Sequence, residues 1–265
     1  MLQAVAVAAW AASAHCKRDR APIKPCQHLT LHLPLHKACA GRFVHSQVRE
    51  RYWLNFIFIN QPMVDVFNFI RKPNLPVRSN WVIDFNAFFD TGVLVPVNNR
   101  ARKFDTVLAH ALESLPGFAG LLAVLAKRNL RRGAAMGLPS GQGMATQFGV
   151  PALTPAQLTQ GLPANEVAVL TAAANLLLGK TPLWYYVLRE AAVLHAGNQL
   201  GPVGGRIVAE TFVRMLKRDA GSFMNVAGFV PSLPSAVAGD FSFADLVNFA
   251  GVTQPNFHAA WQRPR

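Results

Sequence analysis

His45 is flanked at helical spacing by two arginines, Arg42 one turn before it and Arg49 one turn after. A neutral imidazole can bind a metal ion through one ring nitrogen, and a guanidinium can hold a carboxylate through a bidentate pair of hydrogen bonds. Further along, Asn129 and Arg132 stand three residues apart, one turn on the same helix face, beside Lys127 and Arg128. Each has a plainer reading. A lone His on an amphipathic helix is more often a satisfied core or surface residue than a ligand, and Asn129 and Arg132 also fit an ordinary polar face. Another concentration of ligand types comes earlier: Cys26, His28, His32, His36 and Cys39, whose thiolates and imidazoles are zinc donors. Their spacing fits no pair of ligand pairs, and Pro34 interrupts any helix that would put His28, His32 and His36 on one face.

The elements that must carry these side chains read as helices. From Arg42 to about Asn60, Val44, Val48, Tyr52, Leu54, Ile57 and Phe58 recur at helical spacing. The Pro/Asn-rich stretch Arg71 to Pro76 breaks the pattern, and Trp81 to Asp90 reads as a turn with buried aromatics. Beyond Asp105 the chain reads as almost wholly helical: Thr106 to Leu115, Leu121 to Arg132, Gly143 to Phe148, Asn165 to Leu177, Pro182 to His195 and Pro202 to Asp219. Thr154 before Pro155 and Thr181 before Pro182 each fit an N-cap followed by proline at the first helical position. Strand signals are scarce, so the expected fold class is mainly α.

At 265 residues, with 51% hydrophobic and 15% charged residues, the chain is long enough for one large core or two modest ones. The net charge of +13 raises nucleic acid as a partner, but the basic residues are scattered among apolar segments and form no long run, which makes that class unlikely. No uncharged apolar run reaches the about 18 residues needed to span a bilayer. Met1 to Ala14 is uncharged and Ala/Val-rich and ends in a peptidase-like Ala12-Ser13-Ala14, yet lacks a basic start, so a cytoplasmic location is slightly favoured over export. All three cysteines, Cys16, Cys26 and Cys39, fall within the first forty residues, and an odd count without framework spacing argues against a disulfide scaffold.

The run Arg128-Asn129-Leu130-Arg131-Arg132-Gly133, closing in Gly137-Leu138-Pro139, and the later block Leu200-Gly201-Pro202-Val203-Gly204-Gly205-Arg206-Ile207-Val208-Ala209 resemble the animal-type haem peroxidases, in a bacterial branch. Gly41-Arg42-Phe43-Val44-His45-Ser46 is similar to the family's segment bearing the proximal haem histidine, and Phe241 to Val252 to its C-terminal helix. The resemblance implies a multi-helical haem peroxidase domain of which this chain holds the proximal, C-terminal portion. Residues 1–40 would be an unmatched lead, 41–258 the domain portion and 259–265 a tail. It implies haem b as cofactor, with His45 as the iron ligand, Asn129 as the amide that orients His45, and Arg42 and Arg132 near the propionates. His110, His195 and His258 match no family ligand.

By the same resemblance the activity is hydrogen peroxide-dependent oxidation of an unidentified reducing substrate, associated with oxidative stress. The distal His and Arg, the family's calcium site and the carboxylates that bond to haem precede the proximal His in the family and have no counterpart here. General acid–base help of the distal kind is worth a factor of about a hundred to ten thousand, so the chain alone should be a poor peroxidase, and the distal half would have to come from a separate chain or from a longer product of the same locus. Val44 stands where the family usually has glycine, and its β-branched side chain is expected to crowd the haem face. Residues 1–40 also admit an unstructured lead, a zinc site, or an upstream sequence that is not the natural one. Two other readings stay open for the whole: a helical scaffold without haem, and a basic nucleic-acid binder.

Overall fold

The computed structural model of the protein describes residues 40–70, 79–96, 98–172 and 176–252. The Cys/His-rich lead, the peptidase-like Ala12-Ser13-Ala14, the Pro/Asn-rich stretch from Arg71 to Pro76 and His258 lie outside them. In chain order the elements are two short strands, β1 (Arg51–Tyr52) and β2 (Gln61–Pro62), and the helices α1 (Met63–Ile70), α2 (Leu125–Ala135), α3 (Gly141–Phe148), α4 (Pro155–Thr159), α5 (Ala164–Thr171), α6 (Leu176–Gly179), α7 (Leu183–His195), α8 (Pro202–Arg218) and α9 (Phe243–Phe249), with 3-10 turns between them. The fold class is mainly α, as the sequence predicts. The described residues divide into two compact units, one formed by 49–101 and 227–252, the other by 40–48 and 102–226.

The first unit is poor in helix because side-chain amides take the place of backbone partners. Asn99 accepts from the Trp53 N–H (3.0 Å) and donates to the Trp53 carbonyl (2.6 Å), acting as a one-residue strand. Asn55 accepts from the N–H groups of Ile57 and Phe58, and donates to the carbonyls of Asn80 and Val82. Such local bonds compete with the helix for the same donors. The helix expected from Arg42 to about Asn60 therefore stops early: a 3-10 helix spans Ala40–Gln47, the chain extends into β1, and β1 pairs antiparallel with β2. Trp81 to Asp90 is a turn, as expected, in which Asp84 caps a 3-10 turn, Phe85–Ala87, and Phe89 is buried and stacks on Phe243.

The second unit is built around α7. Leu183, Trp184, Tyr186, Val187, Leu188, Arg189, Glu190 and Ala191 are all buried, so nearly the whole circumference of this helix lies inside. Each large apolar side chain taken fully out of water stabilises by about 1.5–3 kcal/mol, which makes α7 the organising element. It packs against α2, α3, α4, α8 and the 3-10 helix Ala40–Gln47. Two departures from the expected helix pattern have local causes. Only His110–Leu112 of the segment Thr106 to Leu115 is helical, because Asp105 accepts from the Val107 N–H and Pro116 holds the preceding residue out of the helical region. Val124, at φ −93° and ψ 110°, splits Leu121 to Arg132 into a 3-10 turn and α2. Thr154 caps α4 through a reciprocal pair of bonds with Gln157, with Pro155 following, as read from the sequence. At α7 the cap is Pro182 rather than Thr181, whose hydroxyl instead donates to the Leu177 carbonyl and accepts from Gln142.

Candidate functional site

Three of the four residues singled out in the sequence meet in the second unit. The 3-10 helix Ala40–Gln47 turns Phe43 and Ser46 fully inward, and the Ser46 hydroxyl donates to the Phe43 carbonyl at 3.1 Å. Arg42 and His45 are left half-buried on its flank. The helix is fastened to the core by the indole N–H of Trp184 on α7, which donates to the Arg42 carbonyl at 3.1 Å. On α2, Asn129 is 2% exposed although Leu130, Arg131 and Arg132 around it face solvent. Its amide lies 3.1 Å from His45 Nδ1 on one side and 3.0 Å from Arg42 Nη1 on the other.

The identities of the two amide atoms follow from chemistry. A guanidinium has donors only, so the Asn129 atom facing Arg42 must be Oδ1. Nδ2 then donates to His45 Nδ1, which must carry a lone pair, and in the neutral ring the proton sits on Nε2. Nε2 has no hydrogen-bond partner among the described residues. The His45 pKa is pushed down to about 4, first by burial and then by repulsion from the Arg42 and Arg128 guanidiniums, with the Asn129 hydrogen bond opposing. At neutral pH His45 is therefore uncharged, the form in which imidazole binds metals.

Arg132, one turn beyond Asn129, is exposed, and its guanidinium makes no hydrogen bond among the described residues. Arg49 does not continue the helix of His45; it donates to the carbonyls of Arg51 and Arg100. His195 pairs with Gln199, and His110 opens a 3-10 turn. Two participants escaped the sequence reading. Arg128, taken there as part of a polar face, acts on His45 and lies 4.5 Å from the centroid of the Phe118 ring. Trp184 anchors the site from 142 residues away, with no signal in its local sequence.

The two marked sequence blocks also have packing roles. In the first, α2 ends at Ala135 and Gly137 adopts a left-handed φ of +61°, after which Ser140 caps α3 by accepting from the Gly143 N–H. In the second, Pro202 opens α8 and brings no N–H, and Gly201 as N-cap has no side chain to offer. The free N–H groups of Val203 and Gly204 are taken by Glu190 of α7 at 3.1–3.2 Å. A Cβ on Gly201 would lie 2.3 Å from Glu190 Cγ, and one on Gly204 would lie 2.4 Å from Val187 Cγ1. Both glycines are thus required by the close approach of α8 to α7, whereas a Cβ on Gly205 would meet nothing nearer than 3.9 Å.

No family model and no curated protein matches this chain.

The donor set itself limits the chemistry. Among the described residues no three His, Cys, Asp or Glu side chains converge. A neutral imidazole beside two arginines, Arg42 and Arg128, suits a metal already held in an anionic ligand. Haem is of that kind, and the residues fit it in type: one imidazole for iron, an amide for the imidazole, guanidiniums for carboxylates. Next to them, Phe118, Leu121 and Leu122 are 49%, 53% and 54% exposed, and the turn carrying the two leucines packs against α2. That places apolar surface near the cationic side chains, as an amphiphilic planar ligand requires.

Proposed function

We propose that the chain binds haem through His45 and forms the proximal portion of a haem peroxidase of the animal type. The observation that carries this reading is the chain of contacts Arg42–Asn129–His45, which joins a guanidinium, an amide and an imidazole from two distant segments, the types that would balance a carboxylate, orient the imidazole and bind iron. When bound, haem would supply the redox-active iron for hydrogen peroxide-dependent oxidation of a donor. The chain's own side chains do the rest: His45 offers Nε2, Asn129 fixes the imidazole plane, and Arg42 and Arg132 balance carboxylate charge. Acid–base assistance on the opposite face belongs to a distal half supplied by another polypeptide segment, so the isolated chain turns over peroxide weakly or not at all.

The test is a haem titration of the purified chain read by its Soret spectrum, with His45→Ala and Asn129→Ala alongside. Saturable binding lost in His45→Ala is the expected outcome. A second reading, a helical scaffold without haem, is favoured by the finding that Gly137, Ser140, Gly201 and Gly204 have sufficient reasons in helix packing alone. Full helical content with a Soret response indifferent to His45 would establish that scaffold and end the haem proposal. Binding to nucleic acid that weakens steeply with salt and ignores His45 would point instead to the basic surface.

A further inference from the structure

The hydrogen bonds around Asn129 select one neutral tautomer of His45. With Arg42 donating to Oδ1, the amide can only donate to His45 Nδ1, and the ring proton is held on Nε2, the nitrogen that must be bare to bind iron. The opposite amide orientation would let Oδ1 accept from an Nδ1–H, but it would set the Asn129 NH2 against the Arg42 guanidinium, donor against donor at 3.0 Å.

We propose that Arg42 is a latch: its bond to Asn129 keeps His45 in the tautomer that cannot bind iron, and an anionic carboxylate that captures Arg42 releases it. Once the guanidinium turns to the carboxylate, Asn129 is free to reverse its amide. The imidazole then loses the proton on Nε2 to solvent and gains one on Nδ1, with no net change in charge. Oδ1 accepts from the new Nδ1–H, and the Nε2 lone pair is exposed. Carboxylate capture and iron ligation are thereby coupled, so a ligand with a metal but no carboxylate meets a closed site. The ligand assignment rests on the haem reading above; the latch itself rests on the two hydrogen bonds of Asn129.

The first part of the experiment is made without haem. In the full chain carrying nitrogen-labelled histidine, two-bond nitrogen–proton NMR correlations at mildly alkaline pH report which ring nitrogen of His45 bears the proton. The native chain is expected to show Nε2–H. Arg42→Met, which keeps the backbone carbonyl that Trp184 holds, should move His45 to Nδ1–H. Asn129→Asp, close in size and able only to accept, should do so with Arg42 still present. A native Nδ1–H form, or an Nε2–H form surviving in Asn129→Asp, overturns the latch. Haem and its dimethyl ester, in which the carboxylates are blocked, are then titrated separately: preference for free haem in the native chain is expected, and equal affinity overturns the coupling. Absence of any haem binding sinks the haem assignment while the NMR result decides the latch.

Discussion

Glu190 and His45 are both titratable groups drawn into the same helical unit, and their surroundings differ in a telling way. Both oxygens of Glu190 are answered from within, by the N–H groups of Val203 and Gly204, and the group is 1% exposed. Its neighbour Arg189 does the complementary work at the other kind of helix end, donating to the carbonyls of Leu158 and Gln160 where α4 closes. An acid at a helix N-terminus and a base at a C-terminus both sit favourably in the helix dipole. At His45 only one ring nitrogen is answered, the ring stays half-buried, and the nearest charges are arginines that oppose its protonation. A buried polar group whose every atom is satisfied serves the fold; one held neutral with an atom left open is a candidate for chemistry.

The contrast breaks most readily through stability. Glu190→Ala strands two buried N–H donors at the start of α8 and should cost about 2–4 kcal/mol, since each unsatisfied buried group costs about 1–3 kcal/mol. His45→Ala strands one buried donor, Asn129 Nδ2, and should cost less, about 1–2 kcal/mol. Urea unfolding of both variants checks the pair, and equal losses would erase the distinction.

Gly201→Ala sharpens the structural side. Overpacking of this kind costs about 1–3 kcal/mol, and because the clash is with Glu190 itself, the substitution should cost clearly less in a Glu190→Ala background. Additive losses in that double-variant cycle would mean that Gly201 answers to something else.

The two groups also predict opposite responses to pH. Burial raises the Glu190 pKa to about 7 against the opposing bonds from Gly204 and Val203, so the folded state keeps a proton that the unfolded chain releases above about 4.5. Its stabilising share is full below that value and is lost as pH rises towards 7. His45 is the reverse: between about 4 and 6.5 the unfolded chain takes up a proton that the folded state refuses. Its share is full above 6.5 and is lost as pH falls towards 4. Unfolding of Glu190→Gln across this window should give stability that rises with pH more steeply than in the native chain, while His45→Gln should tilt the profile the other way.

The smallest effect is expected at Arg132. Exposed as it is, Arg132→Ala should leave the melting temperature unchanged and, where haem binds as proposed, reduce its affinity only slightly. Arg42→Ala loses both the carboxylate contact and the latch, so it should abolish the preference for free haem over its dimethyl ester; a preference that survives in Arg42→Ala would show that Arg42 has no special weight.

Much of the helical unit is legible in its residues. Thr154-Pro155 marks a helix start, Gly201-Pro202 marks the next long one, and the periods of α7 and α8 stand out. Much of what was not legible had a common cause: short polar side chains diverted the backbone. Asn55 and Asp105 take N–H groups that apolar periodicity alone would assign to helices, and nothing in the spacing of Leu54, Ile57 and Phe58 reveals it. Arg42, His45 and Asn129 could be picked by type and motif, yet their order of contact could not, because an amide can face its neighbours in either sense until the donors around it are fixed.

The sequence by itself determined the mainly helical class, the extents of α7 and α8 to within a residue and the candidates for chemistry, because caps, prolines and apolar periods act within a turn or two of chain; the helix expected from Asn165 to Leu177 instead ends at Thr171. Tertiary structure decided the rest. It brought residues 84 apart in the chain to 3.1 Å at His45 and Asn129, set an acid from α7 at the head of α8, and chose which ring nitrogen of His45 carries the proton. Those outcomes depend on desolvation and on hydrogen-bond partners from distant segments, and neither exists until the helices have packed.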